Sequence, residues 1–248
     1  MSTNNQKTIY QWLKNVQFAL LPGTCILCRQ PSHRHRDLCL VCQAALPRIR
    51  EPCRHCGLPL PQSHPEPPVC GTCLLQPPPF VRLVAPFCYS PPLPALIAAF
   101  KYDGRLVNGR VLAESLAACL HNRYGQAAMP AILAPVPLHR SRLRRRGFNQ
   151  ALELARRVSR LTAIPVAPRL LERHRDTPAQ TGLGARERQR NLARAFTFKG
   201  DRRFVPGMTV ALVDDVVTTT ATVTALSRLL LRNGASEVHV WAVARTLV

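Results

Sequence analysis

Four Cys-x-x-Cys pairs between residues 25 and 73 constrain this chain more than any other feature. Cys25-Ile-Leu-Cys28 and Cys39-Leu-Val-Cys42 stand ten residues apart, and Cys53-Arg-His-Cys56 and Cys70-Gly-Thr-Cys73 stand thirteen apart. Two intervening residues let both sulfurs of a pair reach one ion, and eight thiolates fill two tetrahedral sites. Cys25, Cys28, Cys39, Cys42, Cys53, Cys56, Cys70 and Cys73 are therefore the expected ligands of two structural zinc ions. Residues 22 to 80 are rich in Cys, Pro and His and have no sustained helical period, so metal binding would supply energy for folding them. Disulfides are the competing interpretation, but a chain without a secretion signal in a reducing compartment disfavours them. Four thioredoxin-like redox pairs in series would be unusual. Sequential and cross-braced connectivity both fit the spacing. His33, His35 and His55 are assigned to the surface, and Cys88 and Cys119, in apolar surroundings, to the core.

The rest of the chain has a different character. Ile9, Leu13, Val16 and Leu20 repeat at helical spacing and predict an amphipathic helix within residues 1–21. Lys14, Asn15 and the neighbouring glutamines interrupt any signal-like core, and no run approaches the roughly 18 apolar residues of a membrane span, so a cytoplasmic protein is expected. A Cys-rich domain over 22–76 then runs into the stiff Gln-Pro-Pro-Pro-Phe linker, and an α/β domain occupies 80–248. Its predicted strands are 81–87, 131–137, 166–171, 208–213 and 238–244. Its predicted helices lie within 93–120, split by a turn at Asp103 and Gly104, within 147–161 with Phe148, Leu152, Ala155 and Val158 as the apolar stripe, and from 223 to the stop at Gly234. Such alternation argues for a parallel sheet.

Charge is unevenly distributed. The net +21 comes from 34 Lys and Arg against 13 Asp and Glu, and residues 138–203 hold 18 of the basic and 5 of the acidic residues. A basic segment of this density suits a polyanionic partner, whether phosphates in a pocket or a nucleic-acid backbone, or else forms a solvated face.

Within residues 204–248, which carry three basic and three acidic residues and are neutral, the stretch Ala-Leu-Val-Asp-Asp-Val-Val-Thr-Thr-Thr-Ala-Thr (211–222) stands out. Val210 to Val213 form an apolar run suited to a strand covered on both faces, and Asp214 and Asp215 fall at its carboxyl end, where open α/β sheets bind ligands. Adjacent carboxylates repel and need cations or hydroxyl donors, which a magnesium ion and ribose hydroxyls would supply. Thr218, Thr219, Thr220, Ala221 and Thr222 then lead into a helix stopped by Gly234, and free N–H groups at a helix start make an anion site. The plain alternative is a threonine cap beside two solvated aspartates.

This combination resembles the type I phosphoribosyltransferases, and more narrowly the ComF (competence protein F, GntX-like) family. The resemblance rests on Ala-Phe-Lys-Tyr-Asp-Gly-Arg (99–105), the segments 135–156 and 180–196, and the cysteine pairs, in that family's order along nearly the whole chain. It implies a parallel-sheet phosphoribosyltransferase fold preceded by a double zinc ribbon. Asp214 and Asp215 would be the catalytic carboxylates holding the ribose of phosphoribosyl pyrophosphate, with Thr218 to Thr222 around its 5-phosphate. Pro137 to Arg140, including His139 and Arg140, would lie near the pyrophosphate, with Lys101 and Arg146 as further phosphate contacts and magnesium as cofactor. Residues 173–191 would take the place of a mobile lid and 81–130 that of a hood. One position departs from the pattern. Thr220 stands where the family's loop has glycine, so the loop must adopt another conformation or bind less tightly.

Two functions from different classes follow. One is magnesium-dependent phosphoribosyl transfer to an acceptor that no residue pattern names. The other is a non-catalytic factor in DNA uptake or utilisation with a sensory or decayed phosphoribosyl pyrophosphate site, meeting single-stranded DNA through phosphate contacts, with competence or DNA-processing proteins as further partners. With aromatic residues at 6% of the chain, base stacking would be limited.

Overall fold

The computed structural model describes residues 23–61, 68–176 and 194–247. The predicted helix at Ile9 to Leu20 and most of the predicted lid lie outside them. The chain divides into two compact units, Met1–Leu46 and Pro47–Val248.

The smaller unit is built around Cys25, Cys28, Cys39 and Cys42. Its one regular element among the described residues is α1 (Leu40–Ala44), which begins where the Cys39 sulfur accepts a bond from the Cys42 amide at 3.4 Å. That contact turns the second Cys-x-x-Cys pair into a knuckle.

The larger unit starts with the other two cysteine pairs, the second of which opens α2 (Gly71–Leu75). This segment docks on the edge of a sheet. The His55 carbonyl accepts from the Leu83 amide at 2.7 Å, and Gly57 (φ +67°) lies so close that an added Cβ would meet Leu83 Cδ2 at 2.7 Å. Only glycine fits there.

The sheet has five strands, all parallel. β1 (Leu83–Val84) and β2 (Phe87–Cys88) share one edge beside β7 (Glu237–Arg245), followed by β6 (Thr209–Val217) and then β3 (Ile132–Pro135). The predicted strand 81–87 is thus two short strands, because Pro86 lacks an amide to continue the ladder. Register runs on through the gap, from Val84 opposite Trp241 to Phe87 opposite Ala244. The predicted strand 166–171 is also corrected. Val166 makes one bridge to Leu133, a turn follows at Pro168 and Arg169, and the chain leaves as β4 (Leu171–Arg173), antiparallel to β5 (Phe196–Phe198).

Helices cover the sheet. α3 (Leu93–Tyr102) and α4 (Leu106–Tyr124) are separated at Asp103 and Gly104 as expected, and α4 packs on β7 and on α6 (Gln150–Thr162). The predicted hood over 81–130 therefore forms an edge of the sheet and a helical layer against it. The buried stripe of α6 is Ala151, Leu154, Ala155 and Val158, so the expected stripe is rotated and Phe148 and Leu152 are half-buried. Cys88 and Cys119 are likewise half-buried rather than core residues. The short α5 (Arg140–Arg146) ends at Gly147 in the left-handed conformation, and α7 (Ala221–Arg232) packs on β6 and β7. Val210 and Leu212 of β6 share a core with Val223, Leu226 and Leu230 of α7. Among the described residues no helix is long and apolar enough to cross a membrane.

A buried polar group joins α4 to β7. His239 Nδ1 and Tyr124 Oη are 2.7 Å apart, and the Trp241 indole donates to Tyr124 Oη at 3.0 Å. Burial pushes the Tyr124 phenol up to about 12 and holds the His239 imidazole below its ordinary value, with Glu237 opposing that shift and Arg82 adding to it. A histidine kept neutral by folding contributes stability that is full above 6.5 and is lost as pH falls through 6.5 toward the lowered value. Urea unfolding between about pH 5 and 8 should therefore show a shallower loss of stability toward acid in His239→Gln than in the parent. At neutral pH the variant should be about 1–2 kcal/mol less stable, from the lost bond to Tyr124.

Candidate functional site

The site is set by where strand pairing stops. β6 pairs with β3 only as far as Val213 opposite Pro135, but with β7 as far as Val217 opposite Arg245. Asp214 and Asp215 therefore lie inside β6, past the end of β3, and two further residues continue the strand beyond them. Side chains alternate along a strand, but the Asp214 carboxyl turns back to accept the Asp215 amide and stays in contact with the Asp215 carboxyl. Asp215 forms an ion pair with Lys101 at the end of α3. Asp214 lines a small cavity with residues 216–223, the whole threonine segment included.

The carboxylates differ in electrostatics as well as in partners. Asp215 is 4% exposed and has the Lys101 ammonium against it. Asp214 accepts the Asp215 amide at 2.8 Å. Burial drives its carboxyl well above the usual range, and the like charge of Asp215 adds to the shift, while Lys101 works weakly against it. A cation or a hydroxyl-rich ligand in this cavity would relieve that repulsion.

The loop retains a glycine-type backbone without a glycine. Thr220 sits at φ +35° as the residue before α7, with its side chain making no cap bond. A β-branched residue in the left-handed region is strained by about 1–2 kcal/mol. Thr220→Gly should thus raise the stability of the ligand-free protein by about 0.5–1 kcal/mol, once the greater freedom of an unfolded glycine is allowed for. Equilibrium unfolding of the two proteins in urea checks this.

The other predicted residues fall into two groups. Lys101 and Arg146 belong to one corner. The Arg146 guanidinium lies 5.1 Å from the Tyr102 ring centre and bonds Gln150, and Phe100 packs against Phe148 at 5.5 Å. Asn149 fixes that corner to the sheet, since its side chain accepts from the Ala151 and Leu152 amides and donates to the Val136 carbonyl. His139 caps α5 and stands 2.8 Å from Ser141 Oγ, with Asp176 held by Ser141 and Arg142. Arg140 is bound to Glu172 at 3.1 Å and lines a second opening with Phe148, Leu152, Glu153, Arg156 and Arg173, which shares no lining residue with the Asp214 cavity.

Two residues at the site escaped the sequence analysis as functional groups. Arg173, at the end of β4, is buried with its guanidinium 5.5 Å from the Phe196 ring centre. Burial lowers its pKa, and the charge of Asp214 is close enough to oppose that shift. Arg245 ends β7 opposite Val217 and donates to the Val217 and Thr218 carbonyls at the entrance to the loop. Its signal was an arginine closing the apolar run Val-His-Val-Trp-Ala-Val-Ala, legible only once β7 is aligned with β6.

The cysteine pairs resolve into two sequential sets, Cys25, Cys28, Cys39 and Cys42, and Cys53, Cys56, Cys70 and Cys73, with the sulfurs of each set within 4.8 Å of one another. Cross-bracing is excluded. A tetrahedral zinc with bonds of about 2.3 Å spaces its sulfurs by about 3.8 Å. The Cys56 and Cys70 sulfurs are 3.6 Å apart and those of Cys28 and Cys39 are 3.9 Å apart, so both sets fit zinc. Among the described residues no histidine joins either set.

Comparison with known proteins agrees with the two cysteine sets. Residues 16–74 match the double zinc ribbon domain family. The chain is 38% identical over 178 residues to competence protein F of Haemophilus influenzae, covering 71% of this chain and 78% of that protein. It is 41% identical over 180 residues to DNA utilization protein YhgH of Escherichia coli K12, covering 72% and 78%. Among solved structures it is similar, at 20% identity and a TM-score of 0.35, to glutamine phosphoribosylpyrophosphate amidotransferase from B. subtilis complexed with ADP and GMP. That match covers 53% of this chain and 25% of the other.

Proposed function

As a member of the ComF (competence protein F) family, this chain, we propose, binds phosphoribosyl pyrophosphate with magnesium and transfers its phosphoribosyl group. The observation that carries the proposal is the single cavity shared by Asp214 and the threonine loop at the end of β6. In it, the amides at the start of α7 and the threonine hydroxyls would hold the 5-phosphate, and Asp214 would accept from the ribose hydroxyls. Asp215 would remain paired with Lys101 behind the site, holding a negative charge under the sugar as positive charge develops there. The bond between the anomeric carbon and pyrophosphate breaks with its electron pair leaving on pyrophosphate, and a nucleophilic acceptor atom forms the new bond. Bound magnesium would neutralise the leaving pyrophosphate. Arg173, whose charge interacts with that of Asp214, would add positive charge around it, with His139 and Arg146 on the basic segment as further contacts.

Calorimetric titration of phosphoribosyl pyrophosphate with magnesium into the zinc-loaded protein tests this reading. Saturable binding by the parent that disappears in Asp214→Asn is expected. A parent with no magnesium-dependent binding would refute it.

A second reading has its own support. The relatives carry names tied to competence and DNA utilisation, and Arg140, Arg144 and Arg145 are exposed on α5. Single-stranded DNA would meet these arginines through phosphates, so its affinity should fall steeply with salt. Binding insensitive to salt would remove this reading.

A further inference from the structure

We propose that Arg245 is a positioning residue that ties the threonine loop to the second cysteine cluster, so that the metal state of that cluster sets the order of the loop.

Arg245 is a guanidinium at 4% exposure whose described partners are all carbonyl or hydroxyl oxygens. Burying such a charge is costly unless its donors are satisfied, so these bonds hold its position firmly. The two ends of the fork reach different structures. Nε donates to the carbonyl of Cys56, itself one of the four clustered cysteines, at 3.2 Å. The two hydrogens of Nη1 are shared among the carbonyls of Val217, Thr218 and Thr246. The peptide units beyond Val217 and Thr218 begin the loop around the Asp214 cavity. One rigid group therefore joins a residue of the cluster to the backbone that orients the loop.

The knuckle end of this link is itself well defined. The Gly57 amide donates to the Cys53 carbonyl at 3.0 Å, which closes the turn carrying Cys56. His55, Cys56 and Gly57 in succession engage Leu83, Arg245 and Leu83 again. An ion on the four sulfurs would fix this turn, and its loss would free the Cys56 carbonyl and leave one arm of Arg245 without its partner. The smaller unit's cluster has no such link among these contacts, so its metal would leave the loop unaffected.

Hydrogen exchange by mass spectrometry on the full zinc-loaded chain tests the link without any ligand, by comparing the peptide spanning 218–223 with one from the centre of β7. Arg245→Lys keeps the charge and loses the fork. It should retain two zinc ions per chain and raise loop exchange roughly tenfold or more, with the β7 centre unchanged. Cys70→Ser with Cys73→Ser should reproduce that loop-specific rise, and Cys25→Ser with Cys28→Ser should not. Unchanged loop exchange in Arg245→Lys or in the second-cluster variant overturns the proposal, as does loosening of the β7 centre along with the loop, which would mark a merely structural role. Its relevance to ligand binding rests on the reading above. Titrating phosphoribosyl pyrophosphate with magnesium into the same proteins separates the two, because a parent that fails to bind it defeats that reading while the exchange data still decide the link.

Discussion

Serine in place of Cys53 and Cys56 is expected to reduce bound zinc from two ions per chain to one and to unfold the segment around residues 51–75 while the sheet stays folded. The reason lies in what each part of the chain buries. Among the described residues, the core around the second cluster consists of the four cysteines, with Leu58, Leu60 and Val69 packed against it. So small an apolar core cannot offset the conformational entropy of ordering the segment, and metal binding on the order of 10 kcal/mol must replace it. The sheet, by contrast, has its own core, from Ile132 and Ala134 through Val210 and Leu212 to Val238 and Val240. Zinc analysis with hydrogen exchange reads both parts at once. Retained protection over 51–75 in the variant would show that sulfur–metal bonds are not what folds the segment.

The second large effect separates the two aspartates. Asp215→Asn removes the partner of a Lys101 that is 20% exposed, so the lysine can turn partly toward water, and the loss of stability should be about 2–3 kcal/mol. Asp214→Asn should act in the opposite direction. Asp214 has a raised pKa, so the folded chain holds that proton more tightly than the unfolded one. Its contribution is most favourable below the ordinary carboxylate range and is lost as pH rises through the raised value. At neutral pH the asparagine removes this penalty and should stabilise the ligand-free protein by about 1 kcal/mol, although the proposed ligand no longer binds. Denaturant curves of the two variants, taken with the titrations, check both signs. Equal destabilisation by both would contradict the assignment of Asp215 to the Lys101 pair and of Asp214 to the cavity.

The sequence was legible where a short spacing carries the chemistry. Two-residue gaps between cysteines and the 3.6-residue period across 93–120 need no partner to be interpreted, and the structure follows them. Strand limits were less legible because other strands set them. Val216 and Val217 remain in β6 through pairing with β7 after two charged residues that would ordinarily end a strand. Pro86 and Pro168 mattered more than the β-branched residues near them, since a missing amide interrupts a ladder that an apolar pattern suggests is continuous. Thr220 looked incompatible with a glycine position, yet the loop keeps the left-handed backbone and accepts the strain. The role of Arg245 depends on contacts with Cys56 and Val217, far away in sequence, and no local pattern announces them.

The unequal pairing of β6 makes its last residues a cantilever, clamped along the β7 side and open on the other. The final rung to β3 is the bond from the Val136 amide to the Val213 carbonyl. Because a strand's hydrogen-bonding groups alternate sides, the next amide to point that way is that of Asp215, and Asp214's own carboxylate fills the vacant rung. A ligand atom that draws this oxygen away must therefore leave the Asp215 amide a replacement acceptor, and the molecules that suit the cavity are those carrying oxygen lone pairs on that flank.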